Sequence, residues 1–228
     1  MNCKIVGYEF KHLEVELMPQ EEVYAEVGAM IYRDAGIQEN LNVRNIVGRF
    51  FSGESIFNVK YKNCGIVPLK IVLAPGVGMS LYPLKIERGH KMLIRCGGYI
   101  ASNKQLEVGA KFTMSGFKSG ISFQRIKGEA TVFVDSTATI IEKNLKDGES
   151  IIVDENTIMA LLDIPLVKSK WNLKNILKRQ GLSISIIYGP GKVYLYNRGI
   201  QRLGIAAKGA LILYMLYVLF ILLIILGV

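Results

Sequence analysis

The chain has 228 residues, half of them hydrophobic, with a formal charge of +9, three cysteines and two histidines. Cys3, Cys64 and Cys96 are far apart, odd in number and without a C-x-x-C, which excludes a disulfide framework and a zinc ribbon and fits a reducing compartment. The first turns, MNCKIVGYEFKHLEVEL, carry Lys, Glu and His and no apolar run, so a secretory signal peptide is not expected.

In chain order, short apolar or alternating runs recur between Gly, Asn, Asp and Pro: KIVGYEF from Lys4, SIFNVKY from Ser55, LKIVLA from Leu69, ATVFVDS from Ala130, SIIVDE from Ser150, SISIIY from Ser183 and KVYLYN from Lys192. This is the texture of strands, and with 23 glycines at turn spacing it predicts an all-β sandwich or barrel over 1–207. Helical periodicity is confined to PLVKSKWNLKNILKRQ, where Val167, Trp171 and Ile176 or Leu177 share one face and Lys170, Lys174 and Lys178 another. That stretch reads as a short helix or as a loop with one helical turn.

Turns used as anchors reveal an internal repeat. VYAEVGAMIY, LIRCGGYIAS and IIVDENTIMA each join two apolar strands at a tight turn, with Gly28, Gly98 and Asn156 in matching places. A second anchor aligns Gly53, Gly120 and Gly181, and a third aligns Gly65, Gly128 and Gly189. Gly and Asn tolerate positive φ, which gives such matches a backbone reason. The expected architecture is three pseudo-repeats of β-hairpin or sandwich units, double-stranded β-helix-like, over about 20–88, 89–147 and 148–203.

The charge is unevenly placed. All 19 acidic residues lie at or before Asp163, and nine of the basic residues follow it, so the first 163 residues are neutral. From Gly209 to Val228 the chain is apolar all round, and a helix of that length spans ~30 Å, the thickness of a bilayer. The expectation is a transmembrane tail anchor over 208–228, single-pass, with the bulk on the cytoplasmic side because basic flanks stay there. Lys170, Trp171, Lys174, Lys178, Arg179, Arg198, Arg202, Lys208 and Tyr214 are then the candidates for contact with an anionic leaflet. Basic and aromatic residues before the second anchor, Arg49, Phe50 and Phe51, then Phe117 and Lys118, suggest either a membrane-facing rim or ordinary loop ends.

VELMPQEEVYAEVGAMIY, FFSGESIFNVKY, APGVGMSLYPL, GGYIASN, DGESIIVDENTIMAL and YGPGKVYLYNRG, in this order over residues 4–200, resemble the mitochondrial biogenesis family named for altered inheritance of mitochondria, also found in bacteria and archaea as a family of unknown function. The resemblance implies an all-β fold of three repeats similar to the trp RNA-binding attenuation protein. It implies no reaction, and it associates the mitochondrial members with inner-membrane organisation and respiratory complexes. The chain departs from the family's pattern where SGISF and QGLSI lack the Glu that follows the motif glycine, kept here as Glu54. A C-terminal anchor is not general in the family either.

Chemistry is sparse. His12 and His90 lie in no recognisable catalytic setting, no G-x-S-x-G or H-E-x-x-H occurs, and no cofactor or metal is expected. PGVGMS and GPGK neither precede a helix pattern nor end in G-K-[ST], so both read as β-turns. Glu54, Asp135, Glu149, Asp154 and Glu155 are the acids from which a carboxylate pair is to be sought. The reading is a non-enzymatic, membrane-anchored scaffold that organises membrane proteins or anionic lipids; exposed strand edges would favour self-association, or would be covered by the N-terminal strand or by loops. The rivals are a small-molecule enzyme and an RNA-binding protein. Nucleic acid is disfavoured as a partner because the first two repeats are electrically neutral together.

Overall fold

A computed structural model describes residues 1–8, 10–41, 58–113, 122–136, 139–170 and 184–197. Nineteen strands occur among them: β1 (Asn2–Val6), β2 (His12–Leu17), β3 (Glu22–Glu26), β4 (Met30–Arg33), β5 (Ile37–Leu41), β6 (Asn58–Asn63), β7 (Leu69–Leu73), β8 (Ser80–Ile86), β9 (Lys91–Arg95), β10 (Tyr99–Ser102), β11 (Glu107–Thr113), β12 (Ser122–Lys127), β13 (Ala130–Ser136), β14 (Ile140–Leu145), β15 (Ser150–Asp154), β16 (Ile158–Leu162), β17 (Leu166–Lys170), β18 (Ile184–Tyr188) and β19 (Gly191–Tyr196). A single 3₁₀ turn, Glu155–Thr157, is the helical element among the described residues.

Alternation explains the outer strands. In β2, HLEVEL, Leu13, Val15 and Leu17 are buried while Glu16 is exposed, the period-2 pattern of a sheet with one covered face. Other strands are apolar on both sides: β10 is buried at all four positions and β13 at five of seven. The cause is layering.

Every pairing among the described strands is antiparallel, and they form four sheets: β1-β2-β7-β4, β5-β6-β3-β10-β13-β8, β11-β12-β9-β16-β19-β14 and β15-β18-β17. Leu13, Val15, Ile71 and Leu73 of the first sheet share a core with Val23, Ala25, Tyr61 and Phe133 of the second. Leu84, Tyr99, Val132 and Val134 on the other side of the second sheet share a core with Met92, Ile94, Ile126 and Tyr194 of the third. Phe123, Leu161 and Val193 on the far side of the third meet Val153, Val167 and Ile187 of the fourth. The second and third sheets are thus buried on both faces, which requires near-continuous apolar strands. Pro83 lies in β8, at the end of the second sheet, where a missing N–H is tolerated.

The repeat is exact in its pairing. β2 to β7, β8 to β13 and β14 to β19 are three sets of six strands, and in each the second and fourth strands pair with the fifth while the first and third pair with the sixth. β8 and β14, which would close the expected first and second repeats, pair with the last strand of the following set.

Two expectations are corrected. Residues 166–170, expected in a short helix or in a loop with one helical turn, form β17, paired along its length with β18. The transmembrane helix over 209–228 is withdrawn, and with it the tail anchor and the single-pass, cytoplasm-facing membrane placement. No helix among the described residues is long and apolar enough to cross a membrane, because their backbone groups are paired between strands; residues 209–228 themselves lie outside the described residues. Met1–Asn197 is one compact unit.

Candidate functional site

Three turns, β3–β4, β9–β10 and β15–β16, occupy the same place in the three sets. Glu26, Arg95 and Asp154 end the strand before each turn, opposite Asn58, Phe123 and Ile184, and the strand after the turn enters a different sheet. Gly28 at φ +89° and Gly97 at φ +80° take the left-handed conformation that the turn demands. Gly97 rather than its neighbour Gly98 is therefore the match to Gly28. Asn156 holds the third position, inside a 3₁₀ turn capped by Asp154, whose Oδ1 accepts from the Asn156 amide at 2.9 Å. Gly98 has its own constraint: a Cβ there would sit 3.1 Å from the Asp135 carboxylate and 3.1 Å from the Arg95 carbonyl.

The first two turns collect ionisable groups. Asp135, at the end of β13, is pushed above the usual carboxylate range by burial, offset in part by the Tyr196 hydroxyl donating to it at 3.4 Å and by the Arg95 guanidinium. Burial, then the charge of Asp135, pushes Glu26 up to about 7. Arg95 is committed elsewhere, donating to the Asn156 carbonyl at 2.8 Å. Glu26 and Asp135 form a half-buried acidic pair that holds a proton near neutral pH. Of the acids singled out in sequence, Asp135 enters this pair. Asp154 is a cap, and Glu149 closes a turn by accepting from the Lys146 amide at 2.8 Å. Glu155 is fully buried and accepts from Ser185 Oγ at 2.6 Å. Glu54 lies outside the described residues.

An open groove of about 390 Å³ is lined by Tyr82 and Lys85 of β8, His90, Glu142 of β14, and Lys192 and Tyr194 of β19, among others. His90 Nδ1 is in hydrogen-bond contact with Asp163 Oδ2, and this bond raises the His90 pKa. Burial pushes the Asp163 carboxyl up, but the Lys91 amide, donating at 2.9 Å, and His90 together hold it below the usual range. Lys192 donates to Glu142 at 2.9 Å and Lys85 to Glu87 at 3.3 Å, so the groove's charges are largely balanced within it. Its lining holds no Ser, Thr or Cys beside the imidazole. Among the described residues no group of three or more His, Cys, Asp or Glu is arranged to hold a metal ion.

The phosphate-loop-like stretches are turns. Met79 N donates to the Gly76 carbonyl at 3.1 Å with Gly78 at φ +76°, and Gly189–Pro190 joins β18 to β19.

Two of the sheet-edge strands, β4 and β15, carry exposed apolar side chains. β3 pairs with β10, and β9 with β16, so the strand before each turn is joined to the strand after the next turn. Among the described residues β4 pairs with β7 alone and β15 with β18 alone, leaving one side of each strand open. Their side chains match this. Ile31 is 57% exposed, whereas Ile100 and Met159, in the same bulge of the second and third sets, are 4% and 0% exposed. Ile152 on β15 is 70% exposed, Tyr32 is half exposed, and Val27 adds to the apolar fringe. Periodicity could not mark these edges, since it reports local structure and not which strands meet.

Of the residues expected to touch lipid, Lys170 ends β17, and Trp171, Lys174, Lys178, Arg179, Arg198, Arg202, Lys208 and Tyr214 lie outside the described residues. So do Gly53, Gly120 and Gly181, together with Arg49, Phe50, Phe51, Phe117 and Lys118.

No curated protein matches the chain in sequence. A crystal structure of a protein from Streptococcus pyogenes matches in fold with a TM-score of 0.66 at 20% identity, over 93% of this chain and 99% of that one. The family model described as mitochondrial biogenesis AIM24 matches residues 3–198, which take in all nineteen strands but the first residue of β1. The chain belongs to the AIM24 mitochondrial biogenesis family.

Proposed function

We propose that the β unit is a non-enzymatic scaffold that holds other polypeptide chains by adding strands to its open edges. The observation that carries this reading is the pair of edges β4 and β15, fringed by Ile31, Tyr32 and Ile152. Unpaired backbone N–H and C=O groups along a strand bind an extended chain through main-chain hydrogen bonds, and flanking apolar side chains add contact area. Large apolar residues grouped at such an edge mark an interaction surface, whereas single ones scattered elsewhere need no explanation. The ionisable groups fit a structural role: the groove's cations are matched by carboxylates, and the buried Glu155 is hydrogen-bonded. The family's description names a process of biogenesis and no reaction, which agrees with a scaffold.

The test is photo-crosslinking of the full chain in the cell that makes it, with a photoreactive residue at position 31 or 152 and, as control, at the fully exposed Val77. Discrete protein adducts at 31 and 152, at least about tenfold above the control, are expected for a hot spot flanked by neutral surface. Adducts no stronger than at 77 defeat the reading.

A further inference from the structure

We infer that the polypeptide added at β4 is the β15 edge of a second copy of this chain, so that copies associate head to tail. This rests on the reading of β4 and β15 as docking edges and names their occupant.

The argument is one of strand order. From its end, the second sheet reads β8-β13-β10-β3-β6-β5, and the third reads β14-β19-β16-β9-β12-β11. In each, three strands of one set join three of the preceding set. The first sheet supplies β2-β7-β4 and the fourth supplies β15-β18-β17. Placed edge to edge they give β2-β7-β4-β15-β18-β17, strand for strand the same order, with β1 added at the outer end. The two outer sheets are halves of the sheet that the chain builds twice internally.

The register follows from the internal junctions. Ala25 lies opposite Ala101 and Tyr24 opposite Ser102, and Ile94 lies opposite Ala160 and Leu93 opposite Leu161. The matching positions set Val153 opposite Tyr32 and Ile152 opposite Arg33. All three second strands carry a bulge at the same point, between Met30 and Tyr32, Tyr99 and Ala101, and Ile158 and Ala160. The edge therefore already has the local shape that the internal junctions use. Tyr32 is bulkier than Ala101 and Ala160, which sets the junction between copies apart from those within one.

Burial points the same way. Ile100 is part of the core between the first and second sheets. Met159 is part of the core between the second and third. Each is thus buried against the sheet that precedes its own. Among the described residues, Ile31 has no preceding sheet, and the outward face of the fourth sheet, with Ile152, has no following one. A second copy supplies both layers in one contact. It pairs the open backbone groups and covers Ile31 and Ile152 together, through a heterologous interface that propagates to a ring or a filament.

The experiment is sedimentation of the full chain in mild detergent at micromolar concentrations, comparing wild type, Ile31→Lys, Ile152→Lys and an equimolar mixture of the two variants. A lysine on an edge strand opposes strand pairing, and both positions are exposed enough to accept one without disturbing the fold, which circular dichroism checks. Ile31→Ser and Ile152→Ser replace any lysine variant that loses the β spectrum. Wild type is expected to form species of two or more copies that grow with concentration. Each variant alone sediments as a monomer, its association weakened at least about tenfold. The mixture restores a dimer and stops there, because one chain still offers β15 and the other β4. Association lost in one variant but not the other, or retained in both, overturns head-to-tail pairing. A wild-type monomer whose crosslinks from position 31 reach a different protein also overturns it while leaving the scaffold reading intact, as does a crosslink from 31 to β15 of the same chain. Absence of adducts at both positions removes the two together.

Discussion

The junctions inside the chain and the edges at its two ends are built from the same strands and differ in being closed or open. Where β3 meets β10 and β9 meets β16, backbone groups are paired and Ile100 and Met159 are covered; at β4 and β15 the corresponding groups face outward, with Ile31 and Ile152 exposed. One strand–turn–strand pattern thus serves as core in two places and as surface in a third. Local sequence hardly distinguishes the cases, since the bulge residues are Ile, Ile and Met. What distinguishes them is whether another layer of the same chain is present.

The largest effects should appear when matching positions are truncated. Phe123, fully buried between the third and fourth sheets, should cost about 3–5 kcal/mol when replaced by Ala. Met159→Ala should cost about 2–5 kcal/mol, since it leaves a cavity in the central core. The same change at the matching Ile31 should stay within about 0.5 kcal/mol for the isolated chain, as surface substitutions do. Denaturant unfolding of the three variants at low protein concentration measures the contrast. An Ile31→Ala loss as large as that of Met159→Ala would mean that the first junction is closed within the chain, and the comparison would break.

Much of the fold was legible because one-sided sheets alternate. HLEVEL announces β2 and its covered face, and the apolar runs around Gly28 and Asn156 announce strands and a turn, but the strands on either side of each turn enter different sheets and form no hairpin. Two-sided burial hid the layering, since YIAS and IMALL show no period from which to tell one core from two. The double glycine in RCGGY misplaces the turn position by one residue, at Gly98, where φ assigns it to Gly97. The candidate edges were illegible for a different reason: pairing between sets joins residues far apart in sequence, and no local pattern records which strand lacks a neighbour. Glu26 went unnoticed likewise, since its relation to Asp135 exists across the β3, β10 and β13 ladder alone.

That pair sharpens the comparison at the turns. Side by side along the sheets, the first internal junction sets Glu26 near Asp135, the second brings Arg95 and Tyr196 to matching positions, and the junction between copies would bring Asp154 and Ala74 there. Only the first places two acids together. Burial raises Glu26 to about 7 from 4.5, so the folded chain keeps a proton that the unfolded chain releases, and stability falls as pH rises from about 4.5 to about 7. Glu26→Gln should remove that slope and stabilise the protein at pH 8 by on the order of 1 kcal/mol, after discounting for solvent around a half-buried group. Thermal midpoints of wild type and variant at pH 5 and pH 8 decide it. The two should be closer at the lower pH, and an equal difference at both pH values would deny that Glu26 keeps its proton in the folded chain.

The smallest effect lies away from these turns, at the contact between His90 and Asp163 that ties the β8–β9 turn to the residue after β16. Its sign is opposite to that of Glu26. A histidine whose folded pKa is raised contributes stability that is fully present below its ordinary value of 6.5 and is lost as pH climbs through the raised one. Asp163→Asn removes the partner charge, so it should lower the thermal midpoint below pH 6.5 and matter less above pH 8. The position adds a backbone constraint, since Asp163 sits at φ +54°, a conformation that Asn tolerates as well as Asp. The substitution therefore isolates the charge from the turn. If the midpoint drops equally at both pH values, the loss belongs to the weaker acceptor that an uncharged Oδ1 offers the Lys91 amide, 2.9 Å away in the wild type, and not to the ion pair with His90. Because β9 and β16 are the strands of the second internal junction, such a pH-independent drop would show the junction held at that end by backbone contacts rather than by charge.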